Sequence, residues 1–440
     1  MLINLTEEQL KTIKNPVFQD YAQIYIDIEK GYLNWVKQTG LDVDNNLDLM
    51  TADILKRLES KGAVFRNDGK SIVVNRISPA CEACQKGIGS VSLFISLQCH
   101  RKCFFCFNPN QDHYETFLHE KRDYRAELDA LYRNGGKLTH LGLTGGEPLL
   151  FKAETLDFFQ YARSKFPRVY TRLYTSGDLL DEQTLHGLQA SNLNEIRFSI
   201  KMEDSEETKE HVLEKIKLAK KFIPSVMVEM PVIPGTLEEM KQLLLKLDAL
   251  EIFGINLLEF CFPLNNAGIF KEKGFKIKNP AYRVLYDYWY AGGLPVSHSE
   301  VECLELLEFI LDQHLQLGAQ YCSLENKHTA QIYKQNNHQQ VADSLYFSSK
   351  DYFFKSAKVF GQDIPQVLNV FKKNHITNYQ INQDYNYLEF HVDRIKALKK
   401  LDLEIGISYQ VREQREDGNY LRELKLDLTT PLMFNRREDV

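Results

Sequence analysis

The sequence lacks any long hydrophobic run. In its 440 residues no apolar stretch approaches the roughly 18 residues that a membrane-spanning helix needs. The N-terminus has no basic segment followed by a long apolar one, so we expect no signal peptide. Positive charge is not in excess, since the chain has 54 Lys and Arg and 60 Asp and Glu, a formal net charge of −6. These features argue against a membrane or a nucleic acid as the main partner.

Cysteine is also scarce, with 8 residues in the whole chain, which excludes a disulfide-rich scaffold. Five of the eight nevertheless lie within residues 81–106, and the others are Cys261, Cys303 and Cys322. Such clustering in a chain without a secretion signal indicates metal or redox chemistry. We therefore expect a reducing, cytoplasmic location.

Short β-rich runs alternate with amphipathic helical runs from about residue 91. The predicted strands cover 91–97, 138–143, 168–174, 195–200, 226–233 and 254–260. The predicted helices lie near 121–134, 152–166, 181–190, 205–222, 237–250 and 299–317. Repeated βα units imply an α/β fold with a parallel sheet and right-handed crossovers. Their order alone leaves open whether the sheet is open or curled into a partial barrel.

The regions on either side of these units are predicted to be separate modules. Residues 1–80 are expected to form a small helical module with a β-hairpin, and residues 340–440 an α+β module with alternating strands. The βα units, with the cysteine-rich segment that precedes them, then occupy residues 81–325.

Three cysteines directly follow the first predicted strand. Cys99, Cys103 and Cys106 have the spacing C-x3-C-x2-C. Three thiolates in one short loop are one too few for a closed structural zinc site. They suit a 4Fe–4S cluster that leaves one iron open to a small molecule. Buried or zinc-binding cysteines are the alternative interpretation.

This spacing resembles the cluster-binding motif of radical S-adenosylmethionine (radical SAM) enzymes. A second element agrees, because Gly145-Gly146-Glu147-Pro148 follows the second predicted strand, where that family carries its Gly-Gly-Glu-Pro motif. The resemblance covers about residues 88–265. It implies a partial (β/α)6 barrel of TIM type, here with small N-terminal and C-terminal α+β modules. It also implies S-adenosylmethionine (SAM) and a 4Fe–4S cluster as cofactors.

The resemblance assigns further positions to SAM. Phe105, just before the last cysteine of the motif, is expected to lie near the adenine. Gly145 and Gly146 are expected to let the backbone approach the cofactor closely. Exposed carbonyls of that motif could accept hydrogen bonds from the methionyl ammonium, while Glu147 either completes this contact or holds the loop. Weaker matches at the ends of the third, fourth and fifth strands add the residues Ser176, Ser199 and Ile233.

A second metal site is a separate hypothesis. Cys81 and Cys84 form a C-x2-C pair, which supplies half of a zinc or iron–sulfur site and can also be a redox pair. Cys322 is predicted to lie in a polar loop after the helix at 299–317 and could complete the site. Cys303 and Cys261 are expected to be core residues.

The resemblance implies a reaction. Electron transfer from the reduced cluster cleaves SAM to methionine and a 5′-deoxyadenosyl radical, which abstracts hydrogen from a substrate, and a flavodoxin- or ferredoxin-type reductant supplies the electron. A peptide or protein side chain is our first hypothesis for the substrate, because the N-terminal and C-terminal modules could bind a polypeptide substrate. The alternatives are a small metabolite, a radical-installing activase and a non-catalytic Fe–S sensor or scaffold. The peptide-modifying group usually carries a C-terminal C-x2-C-x5-C stretch, which this sequence lacks.

Overall fold

The computed structural model describes residues 1–45, 48–133, 138–281, 288, 290–337, 341–415 and 417–440. Its strands are β1 (Ile3–Asn4), β2 (Val43–Asp44), β3 (Val64–Arg66), β4 (Ser71–Val74), β5 (Ser90–Phe94), β6 (His140–Thr144), β7 (Tyr170–Thr175), β8 (Glu195–Phe198), β9 (Ser225–Val232), β10 (Gly254–Glu259), β11 (Cys261–Phe262), β12 (Ile277–Lys278), β13 (Leu294–Pro295), β14 (Gly318–Cys322), β15 (Tyr346–Phe347), β16 (Phe354–Phe360), β17 (Tyr379–Asn382), β18 (Tyr387–Phe390), β19 (Ile405–Arg415) and β20 (Gly418–Thr429).

The helices occupy most of the connections. They are α1 (Glu7–Leu10), α2 (Pro16–Gln38), α3 (Asp48–Ser60), α4 (Pro79–Cys84), α5 (Tyr114–His119), α6 (Tyr124–Arg133), α7 (Lys152–Lys165), α8 (Glu182–Ala190), α9 (Glu206–Ala219), α10 (Leu237–Ala249), α11 (Ala267–Glu272), α12 (Ser299–Asp312), α13 (Leu324–Asn336), α14 (Ile364–Lys373) and α15 (Arg436–Asp439). Short 3-10 helices cover Asn108–Asn110, Pro148–Phe151, Gly361–Asp363 and Val392–Leu398. Residue 134, at the end of the predicted helix 121–134, lies outside the described residues. Across the described chain, no helix has both the length and the apolar character that crossing a bilayer requires.

The chain divides into two compact units. One unit contains residues 40–279 and 290–327, and the other contains 1–39, 280–289 and 328–440. This division differs from the three modules predicted from the sequence. The N-terminal segment belongs with the C-terminal strands because β1 pairs with β20, placing Ile3 opposite Leu428. The hairpin of β3 and β4 joins the other unit because β4 pairs with β14.

The first unit is built on a nine-stranded sheet of described strands, in the order β3-β4-β14-β10-β9-β8-β7-β6-β5. Strands β5 to β10 are parallel neighbours in chain order, and β14 adds a further parallel strand beside β10. Helices α6 to α10 connect these strands, as the alternating pattern predicts. The α/β class is therefore confirmed. Strand β14 was missed because it begins with Gly318, directly after the predicted helix 299–317, and glycine commonly follows the end of a helix.

The parallel strands carry different chemistry on their two faces. On β8, Ile196 and Phe198 are fully buried in the hydrophobic core together with residues of the covering helices such as Phe158 and Leu244. The alternate residues on the same strand are Glu195 and Arg197, which are also buried. Since side chains alternate along a strand, one face of the sheet packs under the helices and the other carries buried charge.

The second unit is an antiparallel sheet covered by helices. Its described strands run in the order β1-β20-β19-β16-β18-β17, with β15 also paired to β16. Helix α2 packs on this sheet, where the Phe18 and Phe360 rings stack with their centres 4.5 Å apart. Tyr21 and Tyr25 on the same helix donate hydrogen bonds to Glu423. These contacts explain why residues 1–39 belong to this unit.

Candidate active site at the carboxyl edge of the parallel sheet

A cavity of about 270 Å³ lies where strands β6 to β10 end. Loops that follow parallel strands converge at this edge, which is where ligands of such sheets bind. Six of the predicted SAM positions line the cavity, together with all three motif cysteines: Phe105, Gly145, Gly146, Glu147, Ser176 and Ser199, with Cys99, Cys103 and Cys106. The structure therefore brings most of the predicted site together.

The three motif cysteines lie in the loop after β5 and are free thiols. Cys99 is exposed, and Cys103 and Cys106 are partly buried. Burial raises the pKa of all three thiols, and the nearby Lys201 ammonium opposes this rise. Cysteine binds a metal as the thiolate, so binding of a cation would have to offset this desolvation.

The donor set fits an iron–sulfur cluster better than a single metal ion. In the part of the chain that the structure describes, no group of three or more His, Cys, Asp or Glu side chains is arranged to hold one ion. In a 4Fe–4S cluster each thiolate binds a different iron, so the sulfurs surround the cluster and do not converge on one point. Cys99, Cys103 and Cys106 meet this requirement, because they are free, share one loop and face one cavity.

The cysteine loop is tied to the loops after β7 and β8. The Arg101 guanidinium donates two hydrogen bonds to the Asp178 carboxylate, at 2.7 and 2.5 Å, and a third to Asp204 at 3.0 Å. His100, which is exposed, also contacts Asp178 through Nε2 at 2.6 Å. Burial opposes ionisation of Asp178, but the bonds from Arg101 and His100 lower the pKa of its carboxyl well below the usual range. This ion-pair network fixes the position of the loop.

The paired glycines serve a close contact between two backbone segments. Gly146 donates a hydrogen bond to the Ser96 carbonyl at 3.1 Å, and Glu147 donates one to the Gln98 carbonyl at 2.9 Å. A Cβ on Gly146 would lie 1.9 Å from the Gln98 oxygen, and one on Gly145 would lie 2.6 Å from the Ser96 oxygen. Gly145 also has a φ of +127°, which a side chain disfavours. The glycines therefore allow the chain leading to Cys99 to pack against the end of β6.

The Gly145 carbonyl has a protein partner, because the Asn108 amide donates to it at 2.9 Å. A carbonyl oxygen has two lone pairs, so this bond leaves the Gly145 oxygen one further acceptor position. Asn108 is two residues beyond Cys106, so this bond forms a second connection between the cysteine segment and the glycine turn.

Glu147 is buried, with 2% of its surface exposed, and its carboxylate accepts four hydrogen bonds. The donors are the Leu149 N–H at 3.0 Å, the Thr175 hydroxyl at 2.7 Å and both the N–H and hydroxyl of Ser176 at 2.7 Å. Of the two roles considered for Glu147, this geometry corresponds to holding the loop. It joins the ends of β6 and β7.

The remaining predicted positions differ in exposure to the cavity. Phe105 lines it and packs edge-on against Phe260, with ring centres 5.7 Å apart. Ser199 lines it and donates its backbone N–H to the Thr175 carbonyl. Pro148 and Ile233 are buried and do not line the cavity.

The cysteines of the hypothetical second site do not themselves line the cavity. Cys81 on α4 accepts hydrogen bonds at its sulfur from Arg197 at 3.2 Å and Asn256 at 3.1 Å. Cys84 is exposed. Cys322 ends strand β14, not a loop, and accepts a bond from Asn326 at 3.4 Å. Burial raises the pKa of the thiols of Cys81 and Cys322, and that of Cys322 reaches about 12.

Sequence reasoning missed the charged residues deeper in the cavity. Arg197, Glu229 and Lys327 line it, as does Cys261, which was expected to be a core residue. Arg197 donates to the carboxylates of Glu195, at 2.6 Å, and Glu229. The available signal was the placement of ionisable residues at alternate positions of otherwise apolar strands.

Comparison with known proteins identifies the class. Residues 93–247 match the family model of the radical SAM superfamily. The chain is also similar to a protein of Methanocaldococcus jannaschii that carries the provisional name of a glycyl-radical enzyme activating enzyme. The two are 25% identical over 390 residues, which are 82% of this chain and 96% of the relative. Residues 93–247 are therefore a radical SAM domain, which confirms the resemblance in the cysteine spacing. This domain and the activating-enzyme relative together support an enzyme of the radical SAM class.

Two solved structures of one bacterial protein also align with the chain. Streptococcus suis SuiB bound to S-adenosylmethionine is 14% identical, with a TM-score of 0.36, over 61% of this chain and 57% of that one. SuiB bound to its precursor peptide SuiA is 15% identical, with a TM-score of 0.38, over 76% of this chain and 69% of that one. Because both scores fall below 0.5, the fold assignment rests on the strand order described above.

Gly146→Ala tests the contact between the glycine turn and the cysteine loop. The added methyl group would overlap the Gln98 carbonyl oxygen, so we expect the free energy of unfolding to fall by about 1–3 kcal/mol. Faster tryptic cleavage after Arg101 and Lys102 would report the loosened loop. Gly268→Ala on α11 is the matched control, because nothing lies within 4 Å of its added Cβ. Equal cleavage rates and equal stability in both variants would contradict this explanation of the glycines.

Asp178→Asn tests the ion pairs that hold the cysteine loop. Because the folded-state pKa of Asp178 lies below its unfolded value of about 4, its contribution to stability is complete above that pH and declines as the pH falls further. We expect the variant to be less stable by roughly 1–3 kcal/mol at neutral pH, with the deficit shrinking below about pH 4.

Urea unfolding of both proteins at neutral pH, about pH 5 and about pH 3 measures this difference. Asp53→Asn is the control, since Asp53 is exposed on α3 and should alter stability little at any of these values. A deficit for Asp178→Asn that stays constant down to the lowest pH would count against an ionised Asp178 in the folded protein.

Proposed function

We propose that the chain binds a 4Fe–4S cluster through Cys99, Cys103 and Cys106 and reductively cleaves SAM to abstract hydrogen from a substrate. The observation that carries this proposal is the arrangement of three free thiols of one loop around a cavity at the carboxyl edge of a parallel sheet. When bound, the cluster with SAM supplies a 5′-deoxyadenosyl radical. A flavodoxin- or ferredoxin-type protein is the proposed reductant.

The residues around the cavity would position and shield this chemistry. Asp178 and Arg101 hold the cysteine loop in place, and Glu147 holds the end of β6 against the end of β7. Phe105 presents an aromatic ring to the cavity, which suits stacking near an adenine. The Lys201 ammonium, close to Cys103, would offset part of the negative charge of the thiolates.

The sheet is proposed to curl into a partial (β/α)6 barrel. In a sheet whose parallel strands follow chain order, right-handed crossovers place the connecting helices on one face. The opposite face then needs another cover, and here it carries buried charged residues such as Arg197 and Glu195. Curvature would enclose these residues in an interior, with the cavity at its mouth.

A peptide or protein is the proposed substrate. Its support is the relative from M. jannaschii, whose name assigns it to enzymes that activate a glycyl-radical enzyme. The same observation favours a particular form of the reaction, in which hydrogen is removed from a glycine of a partner enzyme. A small metabolite is the alternative substrate. A second metal site at Cys81, Cys84 and Cys322 remains a subsidiary hypothesis.

Cys103→Ala tests the cluster assignment. After anaerobic reconstitution, the unchanged chain should contain about four irons, or about eight if a second cluster is present. With dithionite and SAM it should produce 5′-deoxyadenosine, and Cys103→Ala should lose both most of the iron and this product. Cys303→Ala is the control, because Cys303 is fully buried on α12 away from the cavity. Unchanged product formation by Cys103→Ala would refute the assignment, and zinc in place of iron would assign a structural site.

Deuterium transfer tests the substrate class. Peptides and enzymes encoded beside the gene would be prepared in deuterated form, including a preparation labelled only at glycine Cα. If the substrate is a peptide or protein, deuterium should appear in 5′-deoxyadenosine and be absent with Cys103→Ala. Transfer from the glycine label would identify activation of a partner enzyme. Transfer from a metabolite but from none of the polypeptides would overturn the peptide hypothesis.

A further inference from the structure

Two lysines, Lys201 and Lys327, line the cavity. Lys201 lies in the electrostatic environment of the three motif cysteines. Lys327 has different neighbours, which are Cys322, Tyr290, Glu229 and Cys261. None of the three cysteines proposed to hold the cluster is among these neighbours of Lys327.

Lys327 has no direct counter-charge in the part of the chain that the structure describes. Its ammonium makes no ion pair and donates no hydrogen bond to another described residue, and the nearest ring is that of Tyr290, with its centre 5.9 Å away. An ammonium group has three donors, and leaving them without acceptors in a partly enclosed site is costly. An anionic acceptor from outside the chain would satisfy them.

The nearby carboxylate of Glu229 is already engaged. One of its oxygens accepts hydrogen bonds from both Arg197 and Asn256, the latter at 2.7 Å. Arg197 itself lies between two carboxylates, those of Glu229 and Glu195. Glu229 therefore belongs to the network around Arg197 and does not form an ion pair with Lys327.

Lys327 stays protonated at neutral pH. Burial alone would lower the pKa of its ammonium, but the neighbouring Cys322, Tyr290 and Glu229 raise that pKa above its ordinary value. The group thus presents a fixed positive charge to the cavity. A single ammonium matches a single negative charge, which is that of a carboxylate.

We propose that Lys327 binds a carboxylate group of the substrate in the cavity. The inference rests on the proposed function, which makes this cavity the substrate site. It narrows the substrate to a carboxylate-bearing molecule, such as a peptide presenting an Asp or Glu side chain or a C-terminus. The aromatic walls formed by Tyr290 and Phe260 would contact the body of the substrate.

Two probes of nearly equal shape test the proposal: 4-fluorobenzoate, which is anionic, and 4-fluorobenzamide, which is neutral. Their binding to the full chain without added iron would be followed by ¹⁹F NMR line broadening. The wild-type protein should prefer the benzoate. Lys327→Met should weaken benzoate binding by about tenfold or more, the usual size of a charge-assisted contact, and leave the amide unaffected.

Matched variants make the result specific. Lys327→Arg should retain most of the benzoate affinity, because it keeps the charge. Lys201→Met removes the other lysine of the cavity and should change benzoate binding little. Far-UV circular dichroism and melting temperature would establish that each variant is folded.

The proposal is overturned if Lys327→Met binds the benzoate as the wild type does. It is also overturned if the wild type binds both probes equally or neither, or if Lys201→Met alone weakens binding. The assay needs neither cluster nor SAM, so its outcome is independent of 5′-deoxyadenosine formation. Loss of that product in the reconstituted wild type would refute the proposed function, whereas failure of the probes would refute only the role of Lys327.

Discussion

The buried carboxylate of Glu147 is the interaction on which the rest of the site depends. It accepts four hydrogen bonds from donors in the turn after β6 and at the end of β7. The backbone N–H of Glu147 also donates a hydrogen bond to the Gln98 carbonyl. Through its side chain and its backbone N–H, this one residue thus joins the segments that follow β5, β6 and β7. A buried carboxylate is costly unless its oxygens are satisfied, so these donors can hardly be removed one at a time. The position of Cys99, one residue after Gln98, follows from this junction.

Local patterns predicted much of the fold and the central motif. The six strands from β5 to β10 and the cysteine spacing are each contained in a short stretch of sequence, and the alternation of apolar runs indicates the α/β class. Strand β14 was missed because Gly318-Ala319-Gln320-Tyr321-Cys322 is short and begins with glycine, which also ends helices. Consequently Cys322 was placed in a loop.

The parts of the site that were not predicted depend on contacts between distant segments. Asp178 is 77 residues from Arg101, and no local pattern pairs them. Lys327 comes close to Glu229 only because the fold brings strand β9 and the start of α13 to one cavity. The glycine pair was recognised, but its close packing against the Ser96–Gln98 backbone was not predicted. In each case the residue type was visible in the sequence and its partner was not.

The pairing of β1 with β20 bears on the order in which the protein can fold during its synthesis. The strands β5 to β10 are made consecutively, so much of the parallel sheet can assemble while the ribosome is still translating the rest. Helix α2 is made before these strands, yet Phe360 and Glu423, which contact its aromatic residues, are made more than 300 residues later. The aromatic side chains of α2 must therefore wait for the last strands before this packing forms, which leaves them open to chaperones until then.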